Sequence, residues 1–230
     1  LAVELKHPFS VAFAWCWWAD LSRFLRDARS TLEQADTALA LATEQKFPIW
    51  AAKATILRGW ALSMQQEPER GASELAKGIA AWRATGAGSW VHTYYAMEAE
   101  ALALLGKAKE ALQKLDAAQA VMEKTEERWW EAEIYRLRGA LLLQCPKAKR
   151  AEAETWLRRA LDVARRQQAK SLELRAATSL ARLWRDQGKV AEARDLLGPI
   201  HGWFTEGFGT PDLKEAGGLL EQLAGKRRRQ

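Results

Sequence analysis

SLELRAATSLARLWRDQGKVAEARDLLGPI, residues 171–200, reads as two amphipathic helices joined by a tight turn at Asp186, Gln187 and Gly188. Two helices that pack closely need a small residue where the first touches the second and another near the start of the second. Here these are Ala181 and Ala193. A large apolar residue follows four positions on, Leu197, and Ile200 three further, which is the buried stripe of a helix.

Carried outward, the pattern returns along the whole chain. The first small position is Ala19, Gly59, Ala99, Gly139 and Ala181, at intervals of 40, 40, 40 and 42; the second is Thr31, Gly71, Ala111, Ala153 and Ala193, at 40, 40, 42 and 40. The fourth unit is two residues longer between its small positions, and the excess falls in Gln144 to Lys149, where Pro146 and the lysines argue for loop. The apolar stripe recurs as Ala35, Leu75, Leu115, Leu157 and Leu197, then Ala38, Gly78, Ala118, Ala160 and Ile200. Trp50, Trp90 and Trp130 stand 40 apart at the starts of three successive first helices, and a residue that returns once per unit is expected to fill the wedge between units.

Composition agrees with helix on helix. Ala, Leu, Glu, Lys, Arg and Gln dominate the 230 residues, with six prolines and no asparagine. The net charge of +6 is mild because 29 acidic residues are interspersed among 35 basic ones, so a nucleic-acid partner is not expected. Cys16 and Cys145 lie far apart without a CxxC, which suits reduced thiols and a cytoplasmic setting. The apolar run Pro8 to Trp18 is too short to span a bilayer and lacks a basic leader, since Glu4 and Lys6 cancel. It reads as a buried helix, and no membrane association is expected.

The spacing predicts first helices over about 9–25, 49–65, 89–105, 127–144 and 170–186, and second helices over about 29–45, 68–84, 108–124, 149–167 and 190–200. The expected units are 9–47, 48–87, 88–126, 127–168 and 169–204, forming one solenoid. After Pro199 and a glycine-rich stretch, Thr210-Pro211-Asp212 restarts a helix, which runs over about 211–224 and covers the last apolar face with Leu213, Leu219, Leu220 and Leu223. A basic tail, 225–230, closes the chain.

At these positions the units resemble tetratricopeptide (TPR) repeats: Ala177, Leu180, Ala181, Trp184, Ala193, Leu197 and Ile200 in the fifth unit, and Tyr95, Ala99, Leu102, Ala111, Leu115 and Ala118 in the third. The spacing is about 40 rather than 34 and the usual proline after each second helix is missing, which means longer helices. Such stretched units look like those of bacterial STAND-type regulators, built on signal-transducing ATPases and typified by the maltose-system activator. Residues 127–133 (ERWWEAE), 171–184 and 202–208 (GWFTEGF) look like the C-terminal TPR region of multidomain bacterial proteins carrying a nucleotide-cyclase domain and an ATPase. The resemblance implies an all-α, right-handed α-α superhelix of five helix pairs with a C-terminal capping helix. It also implies a protein-interaction scaffold or regulatory module, the runner-up being a small-molecule-sensing repeat domain.

Chemistry is sparse. Gly106-Lys107 and Gly188-Lys189 lack the upstream glycine and the Ser or Thr of a phosphate loop. His7, His92 and His201 are scattered, with no HExxH and no GxSxG elsewhere, and each is expected at the surface or at a helix boundary. No catalytic residue, metal site or cofactor is assigned, and an enzyme is not expected. Inward-facing first-helix positions vary between units: Phe13, Cys16, Asp20 and Arg23, then Lys53, Ile56 and Trp60, then Glu133, Arg136 and Leu143, then Arg175, Thr178, Arg182 and Arg185. The last four share one helix face. With Arg136 they predict a cationic wall for a carboxylate, a phosphate or an acidic peptide. The candidate groove residues are therefore Trp60, Arg136, Arg175, Thr178, Arg182 and Arg185, for a protein or peptide partner, with a small ligand near Trp60, Arg136 or Arg182 as the alternative.

Overall fold

The computed structural model describes residues 7–145 and 149–225. The expectations for Glu4 and Lys6, for Pro146 in the loop and for the basic tail fall outside them. Among the described residues there are eleven α-helices and no strand. The first helices are α1 (Pro8–Phe24), α3 (Pro48–Met64), α5 (Val91–Leu104), α7 (Glu131–Gln144) and α9 (Lys170–Asp186). Their partners are α2 (Ala28–Glu44), α4 (Pro68–Ala84), α6 (Ala108–Thr125), α8 (Arg150–Arg166) and α10 (Val190–His201), and α11 (Pro211–Leu223) follows. No described helix is long and apolar enough to cross a membrane.

The turns explain how the helices stop. Arg26, Lys46, Gln66, Gly86, Gly106, Glu126, Gln168 and Gly188 all carry positive φ, between 54° and 83°. A left-handed residue after the last helical turn lets the next N–H reach back and satisfy an orphan carbonyl. The Asp27 N–H donates to the Ser22 carbonyl (2.9 Å), Phe47 to Ala42 (2.8 Å) and Ala169 to Ala164 (2.9 Å). Most of these sites are not glycine, so an L side chain bears strain there. The exposed Gln168, at φ 54°, is one such site. Gln168→Gly is expected to raise stability by about 0.5–1 kcal/mol, read as a higher midpoint in urea.

Two helix starts lie later than the periodicity predicts. Trp90 sits in the left-handed region at φ 70°, which delays α5 to Val91. Glu126 likewise turns the chain at φ 60°, and the Glu131 N–H donates to the Arg128 carbonyl at 3.1 Å, so α7 begins at Glu131 rather than at 127.

The chain forms two compact units, Leu1–Thr125 with α1 to α6 and Glu126–Gln230 with α7 to α11. In the first, Ala19, Ala35, Ile56, Leu57, Leu75, Tyr94 and Met97 form the core. The small positions are what let each helix pair close. A Cβ placed on Gly59 would lie 2.7 Å from the Leu75 nitrogen and 2.9 Å from the Gly71 carbonyl oxygen, both backbone atoms. In the second unit Leu157, Ala160, Leu180, Ala181 and Leu197 are buried, and α11 covers α9 and α10 with Leu213, Ala216, Leu219 and Leu223. Leu220, expected with them, is half-buried.

Three expectations need correction. The Pro8 to Trp18 helix is buried on one face only: Ala12, Cys16 and Ala19 are enclosed while Phe9, Phe13 and Trp18 are 43%, 45% and 54% exposed. Of the periodic tryptophans Trp130 is buried, but Trp50 and Trp90 are half-buried, with edges against Phe9 and Phe13 for Trp50 and against Trp17 for Trp90. His92 is fully buried, because it lies in the first turn of α5 among Val91, Thr93 and Tyr94, all enclosed.

Candidate functional site

In the first unit α1 packs on α3 and α3 on α5, so first helices lie side by side. Their inward positions meet there. Asp20, Arg23 and Lys53 are 1%, 3% and 1% exposed and form one charge cluster: Lys53 Nζ is 2.7 Å from one Asp20 carboxylate oxygen and Arg23 Nε donates to the other at 2.9 Å. The ammonium also lies 3.6 Å from the Trp17 ring centre and 4.8 Å from that of Trp90, two rings set edge to face. Burial alone would raise the Asp20 carboxyl, but Arg23 and Lys53 outweigh it and hold it below the ordinary carboxylate range. Next to it, burial pushes the Cys16 thiol up to about 12, so it stays protonated.

Trp60 belongs to this face but is not open to a ligand. It is 3% exposed, and its indole N–H donates to the Glu100 carboxylate at 3.1 Å, forty positions on in the next first helix.

In the second unit α7 packs on α9 and α9 on α11. Arg136 holds Glu133 with a two-pronged contact, Nε to Oε2 at 2.8 Å and Nη2 to Oε1 at 2.7 Å, and donates to Ser179 Oγ at 3.4 Å. Arg175 donates to Asp212 at 2.7 Å and lies 3.8 Å from Glu133. Arg182 pairs with Glu215, and Arg185 donates to Asp186 at 2.9 Å and to Gln222 at 2.7 Å. Thr178 is buried, its hydroxyl donating to the Leu174 carbonyl at 2.7 Å. The arginine row is therefore also the socket of the capping helix. Asp212, Glu215 and Gln222 on α11 meet Arg175, Arg182 and Arg185 on α9, and only Arg182 and Arg185, 41% and 36% exposed along their side chains, keep substantial access to solvent.

An open cleft of about 430 Å³ lies between the start of α7 and the end of α8, lined by Glu131, Tyr135, Arg159, Asp162, Val163, Arg165 and Arg166. The Arg159 guanidinium lies over Trp156 (4.5 Å) and Tyr135 (4.9 Å), and the Tyr135 hydroxyl donates to Glu131 at 2.8 Å. Burial, and then Glu131, raises the Tyr135 phenol above its ordinary value. The cleft was not anticipated from the sequence. Its only signal there is the density of arginine in α8, at 158, 159, 165 and 166. Among the described residues no group of three His, Cys, Asp or Glu is placed to hold a metal.

No protein-family model matches the chain. An uncharacterized protein of Rhizobium meliloti (strain 1021) is 29% identical over 164 residues, which cover 71% of this chain and 16% of that protein. The chain thus spans less than a fifth of that relative's length. Among solved structures, a Podosopora anserina kinesin-light-chain-type chain of nearly identical TPR-like repeats is 14% identical with TM-score 0.55, over 98% of this chain and 100% of its own. The apo form of RapI has TM-score 0.60 at 12% identity, over 94% of this chain and 84% of its own. A Rap protein complexed with competence and sporulation factor has TM-score 0.61 at 15% identity, over 91% and 63%. At these identities the likeness is one of fold, and the fold is that of TPR-like helix pairs.

Proposed function

We propose that this chain is a non-catalytic protein- or peptide-binding module that uses the first-helix faces of its repeats, within a larger bacterial signalling protein of the cytoplasm. The observation that carries this is the contrast along the repeat. The helix-contact positions recur and are buried in every unit, whereas the equivalent inward positions Phe13, Lys53, Thr93, Glu133 and Arg175 differ in each. Packing demands the first pattern but leaves the second free to vary from unit to unit, with Phe13 exposed and Lys53, Thr93, Glu133 and Arg175 buried beneath the face. The match of this region to 16% of a longer bacterial protein agrees with a module, and the Rap protein solved with its factor is an example of a TPR-like fold holding a partner.

Within that face the residues divide the work. Trp60, Arg136, Arg175 and Thr178 are enclosed or paired and hold the surface in shape, while Arg182 and Arg185 meet the partner. An acidic segment would take the place of Glu215 and Gln222 at these two guanidiniums, and forked pairing favours carboxylates. In the first unit, taken by itself, Phe13 offers an exposed apolar ring on the first-helix face.

A second reading rests on the cleft beside Arg159. Its size and its excess of arginine over carboxylate suit a small anionic metabolite.

The test is an array of acidic, neutral and basic peptides probed with the chain, with Arg182→Glu/Arg185→Glu, and with Arg159→Ala. Salt-sensitive binding of acidic peptides that the double variant loses, with helicity intact, is the expected result. Binding untouched by the double variant contradicts the assigned contacts. Sensitivity to Arg159→Ala alone moves the site to the cleft.

A further inference from the structure

The outer face of α1 is an unfinished repeat joint. Leu21 and Trp18 are 56% and 54% exposed, Ala14 is exposed beside them, and Trp15 stacks on Trp18 at 5.0 Å. The spacing of 14, 18 and 21 makes one helical stripe without a charge. In the other units the same register is covered. Position 21 corresponds to Ala61, Ala101 and Leu183, which are 0%, 0% and 4% exposed, and position 14 to Ala54, Tyr94 and Ala176, at 0%, 1% and 0%. Ala54 packs with Ala38 and Leu39 of α2, and Tyr94 sets its ring against Trp82 of α4 at 5.4 Å. The cover is thus the second helix of the preceding pair.

We infer that α1 docks the second helix of a further helix pair that precedes it in the same polypeptide. Residues 1–8, LAVELKHP, match 41–48, LATEQKFP, at the 40-residue interval of the array, with Leu, Ala, Glu, Lys and Pro in common. In the second stretch these residues are the last turn of α2, the left-handed Lys46 and the first residue of α3. The geometry repeats where α1 starts. His7 caps it at φ −102°, ψ 100°, and Phe47 caps α3 at φ −97°, ψ 86°, each followed by proline. An apolar stripe of this kind marks a docking surface, and the apolar face of a second helix fits it.

The inference is tested by placing a copy of residues 48–80 directly before Leu1, so that Ala80 runs into Leu1 in repeat phase. This pair is chosen because the joint it makes with α5 is the aromatic one. Hydroxyl-radical footprinting reads Trp15, Trp18 and Leu21, and sedimentation velocity reads mass. The 230-residue chain should be a monomer with these residues reactive, and the extension should lower their modification several-fold. Leu21→Lys should undo that protection in the extended chain and leave the melting temperature of the original chain unchanged. Equal reactivity with and without the extension overturns the inference, as does protection that survives Leu21→Lys. A dimeric 230-residue chain already protected at Trp18 also overturns it, because the occupant is then a second copy.

Discussion

Asp20→Ala is expected to lower the stability of the chain by about 3–5 kcal/mol, since it leaves two buried cations without their anion. Asp20, Arg23 and Lys53 are all within a few per cent of complete burial, and both cations reach the same carboxylate. The pair Lys53 and Trp17 does not replace the lost charge, because an aromatic face is worth only about 0.5–2 kcal/mol to a cation. Removing all three charges together, as Asp20→Leu, Arg23→Met and Lys53→Met, should recover much of the loss, because replacement of a buried ion cluster by apolar groups is often close to neutral. Urea unfolding followed by circular dichroism reads both, and an unchanged midpoint for Asp20→Ala would show that the cluster is hydrated in solution.

The same carboxylate gives a pH dependence with a definite sign. Its pKa is depressed in the folded chain, so its contribution is present above the ordinary carboxylate value and is lost as pH falls through the lower folded one. The wild-type chain should therefore lose stability on acidification more steeply than Asp20→Asn, which starts lower and has no charge left to lose there.

Gly59→Leu is the second large effect, a loss of about 3 kcal/mol or more from overpacking. The first added carbon meets backbone of α4 at two points, Leu75 and Gly71, so no rotamer change relieves it and the helices must separate. Ala99→Gly, at the equivalent place in the next pair, should cost only about 1 kcal/mol. Comparing the two urea midpoints separates a close-contact site from simple helix propensity. Equal losses would mean that the small residues are a matter of propensity and not of helix approach.

Much of the fold is legible because it is periodic. Ala19, Gly59, Ala99, Gly139 and Ala181 are small for one geometric reason, and all are buried where their helices touch. Trp90 and Glu126 escaped because a left-handed backbone at a bulky or acidic residue has no local signature; the turn is imposed by the helices on either side. The candidate site was legible only halfway. The register assigns Asp20, Arg23 and Lys53 to an inward face, and Arg175, Arg182 and Arg185 to one stripe. Which charges they meet is decided by side-chain reach between neighbouring helices, 33 residues away for Lys53 and Asp20 and 37 for Arg175 and Asp212. A reading that takes the arginines as a bare cationic wall misses that α11 brings its own acids to them. The cleft beside Arg159 was hidden for a similar reason, since it forms between the start of one helix and the end of the next.

Hydrogen–deuterium exchange, measured with and without the tightest acidic peptide from the array, tests the claim that the first-helix faces are the binding surface most directly. Slower exchange in α9, with α8 and α10 unchanged, is the result expected, and Arg182→Glu/Arg185→Glu should abolish it. Protection confined to the start of α7 and the end of α8 would contradict it and assign binding to the cleft.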